Sequence, residues 1–140
     1  MVMANYYGAG RTNAFAVKDV QALKDVLESH DFTVEETAPG RVVILADDPD
    51  GGGYWSRWTY DEVSGEDHEL FVPDLIAEHL QDGQVAVFVH AGAEKLRYIT
   101  GYSIAVHSDG RQVRIDLDDI YTVAAALFGV AQQSIPHACY

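Results

Sequence analysis

Six histidines, at positions 30, 68, 79, 90, 107 and 137, are the side chains of this sequence best suited to acid–base or metal chemistry near neutral pH. A zinc site carried on one helix needs two of them four residues apart, and no pair here has that spacing. His90 and His107 fall on neighbouring predicted strands and could meet, although the plainer reading gives each a backbone partner at a strand end. The run Asp47-Asp48-Pro49-Asp50-Gly51-Gly52-Gly53 supplies carboxylates on a flexible turn, as a hard cation requires. An EF-hand register that puts the required glycine at Gly51 closes on Arg57, where a ligand carboxylate belongs, so the run reads as a solvated turn. Gly8-Ala9-Gly10-Arg11 precedes a predicted strand, the reverse of a dinucleotide-binding turn. Cys139 is the only cysteine, which excludes an internal disulfide, and nothing like Gly-x-Ser-x-Gly occurs. The residues therefore assign no catalytic group, no cofactor and no metal.

One stretch carries the chemistry of recognition instead. Tyr54, Trp55, Trp58 and Tyr60 are interleaved with or border a run of acids. Tyr and Trp supply much of the binding energy at protein interfaces, and carboxylates around them steer a basic partner and speed its encounter. Asp47, Asp48, Asp50, Trp55, Trp58, Asp61, Glu62, Glu66, Asp67 and Glu69 are accordingly the expected partner-binding residues. The competing reading makes the aromatics the core side of an ordinary strand and the acids its solvated side. Of the formal charge of −13, −10 falls in residues 47–82, where eleven acids face a single base, Arg57. That balance argues against unaided binding to nucleic acid or anionic lipid, both of which need Lys and Arg against phosphate. It suits a protein partner with a basic, nucleic-acid-binding surface.

Positioning these residues falls to an α+β framework. Residues 12–17 alternate and read as a short strand running into a helix capped by Asp19, with Val20, Leu23, Val26 and Leu27 at helical spacing. Residues 32–36 and 41–46 flank Thr37-Ala38-Pro39-Gly40 and predict a hairpin, of which Val42-Val43-Ile44-Leu45 is the inner strand. Residues 54–60 form a further strand and 64–69 a polar loop. A second helix is expected from Pro73 to Gly83, then a central strand over 84–90. A long strand follows over 96–107, turning at Ser108-Asp109-Gly110-Arg111 into a strand over 112–116. The last helix runs from Asp118 to Gly129 with Ile120, Val123, Ala124, Leu127 and Phe128 as its apolar positions. The order β-α-β-β-β-α-β-β-β-α describes a mainly antiparallel sheet of about six to seven strands with three helices.

The 140 residues are expected to form one domain over 1–129, followed by a frayed tail over 130–140. No run approaches the roughly 20 apolar residues that cross a bilayer, and the first residues lack a basic start followed by an apolar stretch, so a cytoplasmic setting is expected.

The opening Asn5-Tyr6-Tyr7-Gly8-Ala9-Gly10-Arg11-Thr12-Asn13-Ala14-Phe15-Ala16-Val17-Lys18-Asp19 resembles that of small acidic proteins carried by phages, plasmids and other mobile elements. The block Gly92-Ala93-Glu94-Lys95-Leu96-Arg97-Tyr98-Ile99-Thr100-Gly101-Tyr102 and the later Leu117-Asp118-Asp119-Ile120-Tyr121 are similar to the same group. The resemblance implies an inhibitor of host defence, of anti-restriction or anti-CRISPR type, that imitates the charge of nucleic acid and is not an enzyme. Two alternatives stand beside it. One is an immunity protein or antitoxin against a basic nuclease. The other is an enzyme or small-molecule binder using His90, His107, Arg97 and Tyr98.

Overall fold

The structure, a computed structural model, describes residues 6–46, 51–94 and 98–138. Its strands are β1 (Tyr6–Thr12), β2 (Phe15–Ala16), β3 (Thr33–Ala38), β4 (Arg41–Leu45), β5 (Ser56–Asp61), β6 (Glu66–Phe71), β7 (Val85–Glu94), β8 (Tyr98–His107) and β9 (Gln112–Asp116). The α-helices are α1 (Val20–Leu27), α2 (Val72–Leu75) and α3 (Asp119–Phe128). The expected α+β fold with a mainly antiparallel sheet is what forms. β4 pairs with β3, and also with β2 and the end of β1; β7, β8 and β9 follow on from β1, every pairing antiparallel. Among the described residues β5 and β6 pair only with each other, as a separate two-stranded sheet.

Two strands lie where the sequence offered no alternation. β1 occupies what read as a polar start, because Gly8 and Gly10 stand at its inward positions. A Cβ on Gly10 would lie 2.6 Å from the Gly53 carbonyl oxygen, so the absence of side chains lets the 51–53 loop cross the strand directly. The Gly8 N–H donates to the Gly51 carbonyl at 2.9 Å. β6 replaces the expected polar loop, and its first four residues are exposed on both faces, so it is cross-strand hydrogen bonding rather than burial that makes it a strand. The second helix is shorter than expected: α2 ends at Leu75 and a 3-10 turn covers Ile76–His79. Leu80 then turns extended to bridge Val17, while Lys18 N–H donates to the His79 carbonyl and Gln81 N–H to that of Ala16. Pairing with the segment after β2 outweighs helical propensity there.

The core lies between one face of the sheet and α1, α2 and the Ile76–His79 turn. Phe15, Leu23, Leu27, Val42, Ile44, Ile76, Leu80, Phe88 and Val106 are fully buried in it, each contributing about 1.5–3 kcal/mol relative to an exposed position. Asp19 caps α1, its carboxylate accepting from the Ala22 N–H at 3.1 Å. Trp55 packs edge-on against Phe88, with centroids 4.9 Å apart, and parallel to Phe32 at 5.7 Å.

α3 departs from expectation in what it covers. It begins and ends as the sequence implies, with Gly129 left-handed at φ 68°, yet none of its residues is buried. The segment after Gly129, expected to fray, returns onto α3. Tyr121 stacks on His137 with ring centroids 3.9 Å apart, and the Tyr121 hydroxyl accepts from the Ala138 N–H at 2.7 Å. Among the described residues, no helix is long and apolar enough to cross a membrane.

Candidate functional site

Two places concentrate functional side chains, a cleft at one end of the sheet and the β5–β6 hairpin. The cleft encloses 520 Å³ and is lined chiefly by Tyr6, Tyr54, His90, Tyr102, Arg114 and Asp118. Alternation along β1, β7, β8 and β9 sends Tyr6, His90, Tyr102 and Arg114 to the same face as the core, beyond the reach of α1 and α2. Gly92 has no side chain where the Tyr6 phenol lies across β7.

His90, only 3% exposed, is held at both ring nitrogens. Nδ1 lies 2.8 Å from the Gly53 carbonyl, which can only accept, so in the neutral imidazole Nδ1 carries the proton. Nε2 then accepts from the Tyr6 hydroxyl at 2.6 Å, and the Thr100 hydroxyl donates in turn to Tyr6 at 2.7 Å. The rings of Tyr6, Tyr54 and His90 stack with centroids 5.3–5.8 Å apart, and Tyr102 lies tilted beyond His90. The Arg114 guanidinium covers the Tyr102 ring at 4.1 Å and donates to Asp116 at 3.0 Å. Burial pushes the Tyr102 phenol up from its ordinary value of 10.0, against the opposing pull of Arg114. Stacking surfaces, one guanidinium and several carboxylates make the cleft able to hold a small polar or aromatic ligand.

His107 does not join this cluster. His90 pairs with Tyr102 on the inner face, whereas His107 pairs with Val85 at the far end of β8, on the outer face. It contacts the turn instead, its Nδ1 accepting from the Asp109 N–H at 3.0 Å. Tyr98 is exposed and lies outside the cleft lining; Arg97 lies outside the described residues. Tyr6, Thr100 and Arg114 were not picked out from sequence. Of His90, His107 and Tyr98, singled out from sequence for small-molecule binding, His90 is the one that lines the cleft.

In the hairpin, register decides which side chains share a face. Trp58 stands opposite Glu69 and Tyr60 opposite Asp67, so two aromatics and two carboxylates occupy one face. Trp58 is 66% and Tyr60 64% exposed. Asp61 and Glu66 pair on the other face, beside His68, whose Nε2 is 3.6 Å from Asp61. Glu62 sits in the turn, which Asp61 closes by accepting from the Val63 N–H at 2.9 Å. That backbone hydrogen bond, with a second from the Ser64 hydroxyl, holds the Asp61 carboxyl below its usual value of 3.8. The hairpin is thus acidic on both faces and aromatic on one.

Trp55 is a correction to the expected surface. It is fully buried, with its Nε1–H donating to the Val89 carbonyl at 3.2 Å, and offers nothing for a partner to touch. Asp47, Asp48 and Asp50 lie outside the described residues. Arg57, the one base among the eleven acids, serves the fold. Its guanidinium lies 4.1 Å over Phe32 and donates to the carbonyls of His30, Asp31, Tyr54 and Ser56 at 2.8–3.3 Å.

Among the described residues no three His, Cys, Asp or Glu side chains gather as metal ligands would. Comparison with protein-family models, with curated proteins and with solved structures finds no match to this chain.

Proposed function

We propose that this chain is a protein-binding inhibitor of the kind mobile elements direct at host defence, and that the β5–β6 hairpin enters a basic, nucleic-acid-binding groove of its target. The observation that carries the reading is the hairpin register, which sets exposed Trp58 and Tyr60 across from Glu69 and Asp67. Aromatic anchors flanked by carboxylates suit a groove rich in Arg and Lys: the rings stack on guanidinium groups while the acids take the place of phosphates. Asp61, Glu62 and Glu66 extend the negative charge to the turn and to the other face, so the hairpin can be gripped from both sides.

Pull-down against purified restriction and CRISPR effector complexes at low and high salt tests this. Binding should weaken as salt rises. Reversing the charge at Asp61, Glu62, Glu66 and Asp67 should abolish it, and Trp58→Ala should weaken it by about 2 kcal/mol, roughly 30-fold. Equal binding by the reversed variant overturns the reading. A second reading, small-molecule binding, is favoured by the convergence of His90, Tyr6 and Tyr102 on the cleft. Its signature would be a ligand that raises thermal stability in the parent chain and fails to do so in Tyr102→Ala.

A further inference from the structure

The helix α3 and the outer face of the sheet present matching gaps. Ile120, Val123, Leu127 and Phe128 recur at i, i+3, i+7 and i+8 and make one stripe along α3, exposed by 60%, 56%, 76% and 70%. The returning segment does not cover this stripe. It engages Tyr121, which lies beside Phe128 at the edge of the stripe and meets His137, and Thr122 on the opposite face, which meets Gln132. On the sheet, α1 and α2 pack against the inner face, and among the described residues no helix lies on the outer face of β7–β9. Val113 and Ile115 of β9 are 60% and 62% exposed there, across β8, with its Ala105 and Ser103, from Val85 and Val89 of β7. Leu117 joins the two surfaces, packed against Gly101 at the end of β9.

We propose that two copies of this chain associate through these surfaces, the α3 stripe of each lying on the outer β7–β9 face of the other. Three observations favour a second copy as the occupant. The first is self-complementarity. One chain holds both an apolar helix with no sheet and an apolar sheet face with no helix, and a two-fold exchange covers both in the two-layer arrangement that sheets and helices require. The second is area. Eight large apolar side chains, each still showing on the order of 100 Å², approach the roughly 800 Å² per partner of a stable interface. The third is charge. Neither the stripe nor the described outward positions of β7–β9 carry an Asp, Glu, Lys or Arg, so two chains of charge −13 can meet here without bringing their acids together.

Sedimentation equilibrium on the full chain tests the proposal. The parent chain should approach twice its mass of 15.4 kDa at about 100 µM. Leu127→Glu and, separately, Ile115→Lys should each weaken association by roughly 100-fold. Both positions are exposed, so circular dichroism should show an unchanged fold. Mixing the two variants should restore a dimer, since one of the two reciprocal contacts is then intact and the other pairs opposite charges. Trp58→Ala should leave the dimer in place, which separates this result from the fate of the hairpin reading. A parent chain that stays monomeric at that concentration overturns the proposal. So does a dimer that survives both substitutions, or a parent dimer with no recovery on mixing.

Discussion

Tyr6→Phe removes a single oxygen from a line in which each donor has one acceptor. His90 Nε2 loses its donor in a nearly dry site, and the Thr100 hydroxyl loses its acceptor. The expected outcome is a loss of about 1–3 kcal/mol in urea denaturation, while nitrogen NMR of the parent chain should report the Nδ1–H tautomer. Arg57→Met keeps apolar cover over Phe32 but leaves carbonyls at the end of α1 without a donor. It should cost about 1.5–3 kcal/mol, more than any other single Lys or Arg substitution among the described residues, by the same measurement. Tyr102 gives a pH dependence. Its phenol stays neutral in the folded chain to a higher pH than in the unfolded one, so stability falls as pH rises through 10.0, where only the unfolded chain ionises. Tyr102→Phe should flatten the alkaline limb of a denaturation-versus-pH curve, whatever it does to stability at neutral pH.

Gly10→Ala belongs to the scale of elements. The new methyl would meet the Gly53 carbonyl and Ala46, lifting the loop from β1 and breaking the His90–Gly53 bond. A loss of about 1–3 kcal/mol in thermal or urea unfolding is expected, with the His90 ring resonances shifted. The same contact explains why β1 was hard to read: its inward positions are filled by another backbone rather than by apolar side chains. β6 was missed for a related reason: only Leu70 and Phe71 at its end pack against the core, and its first four residues have no buried face to impose alternation. The elements that bury one face, α1 with Leu23 and Leu27 and β8 with Ile104 and Val106, were legible from periodicity, and β4, buried at Val42, Val43 and Ile44, from its unbroken apolar run. α3 was legible as a helix but not as an exposed one, because a stripe has the same pattern whichever molecule covers it. Of the expected recognition surface, Trp58, Glu62, Glu66, Asp67 and Glu69 are exposed and Asp61 is half-buried. Trp55 is not, since residue type alone does not tell a tryptophan just before β5 from one on the strand three residues later.

At the scale of the whole molecule the charge is uneven, and its self-repulsion opposes compaction. Raising ionic strength should therefore raise the melting temperature of the isolated chain even as it weakens the proposed hairpin contact. A differential scan at low and high salt, set beside the pull-down, checks that the two responses have opposite sign. The strand order also has a bearing on how the chain comes into being. β1 spends most of its length against β7, so that Tyr6 waits for Glu94 and Thr12 for Phe88. Closing so long a stretch is a slow entropic step, and β1, synthesised before β7, is completed late. During synthesis the acidic hairpin leaves the ribosome before β7 does. A nascent chain whose first strand is still unmatched is thus already carrying most of its negative charge, a repulsive guard against premature strand pairing between neighbouring chains on one message.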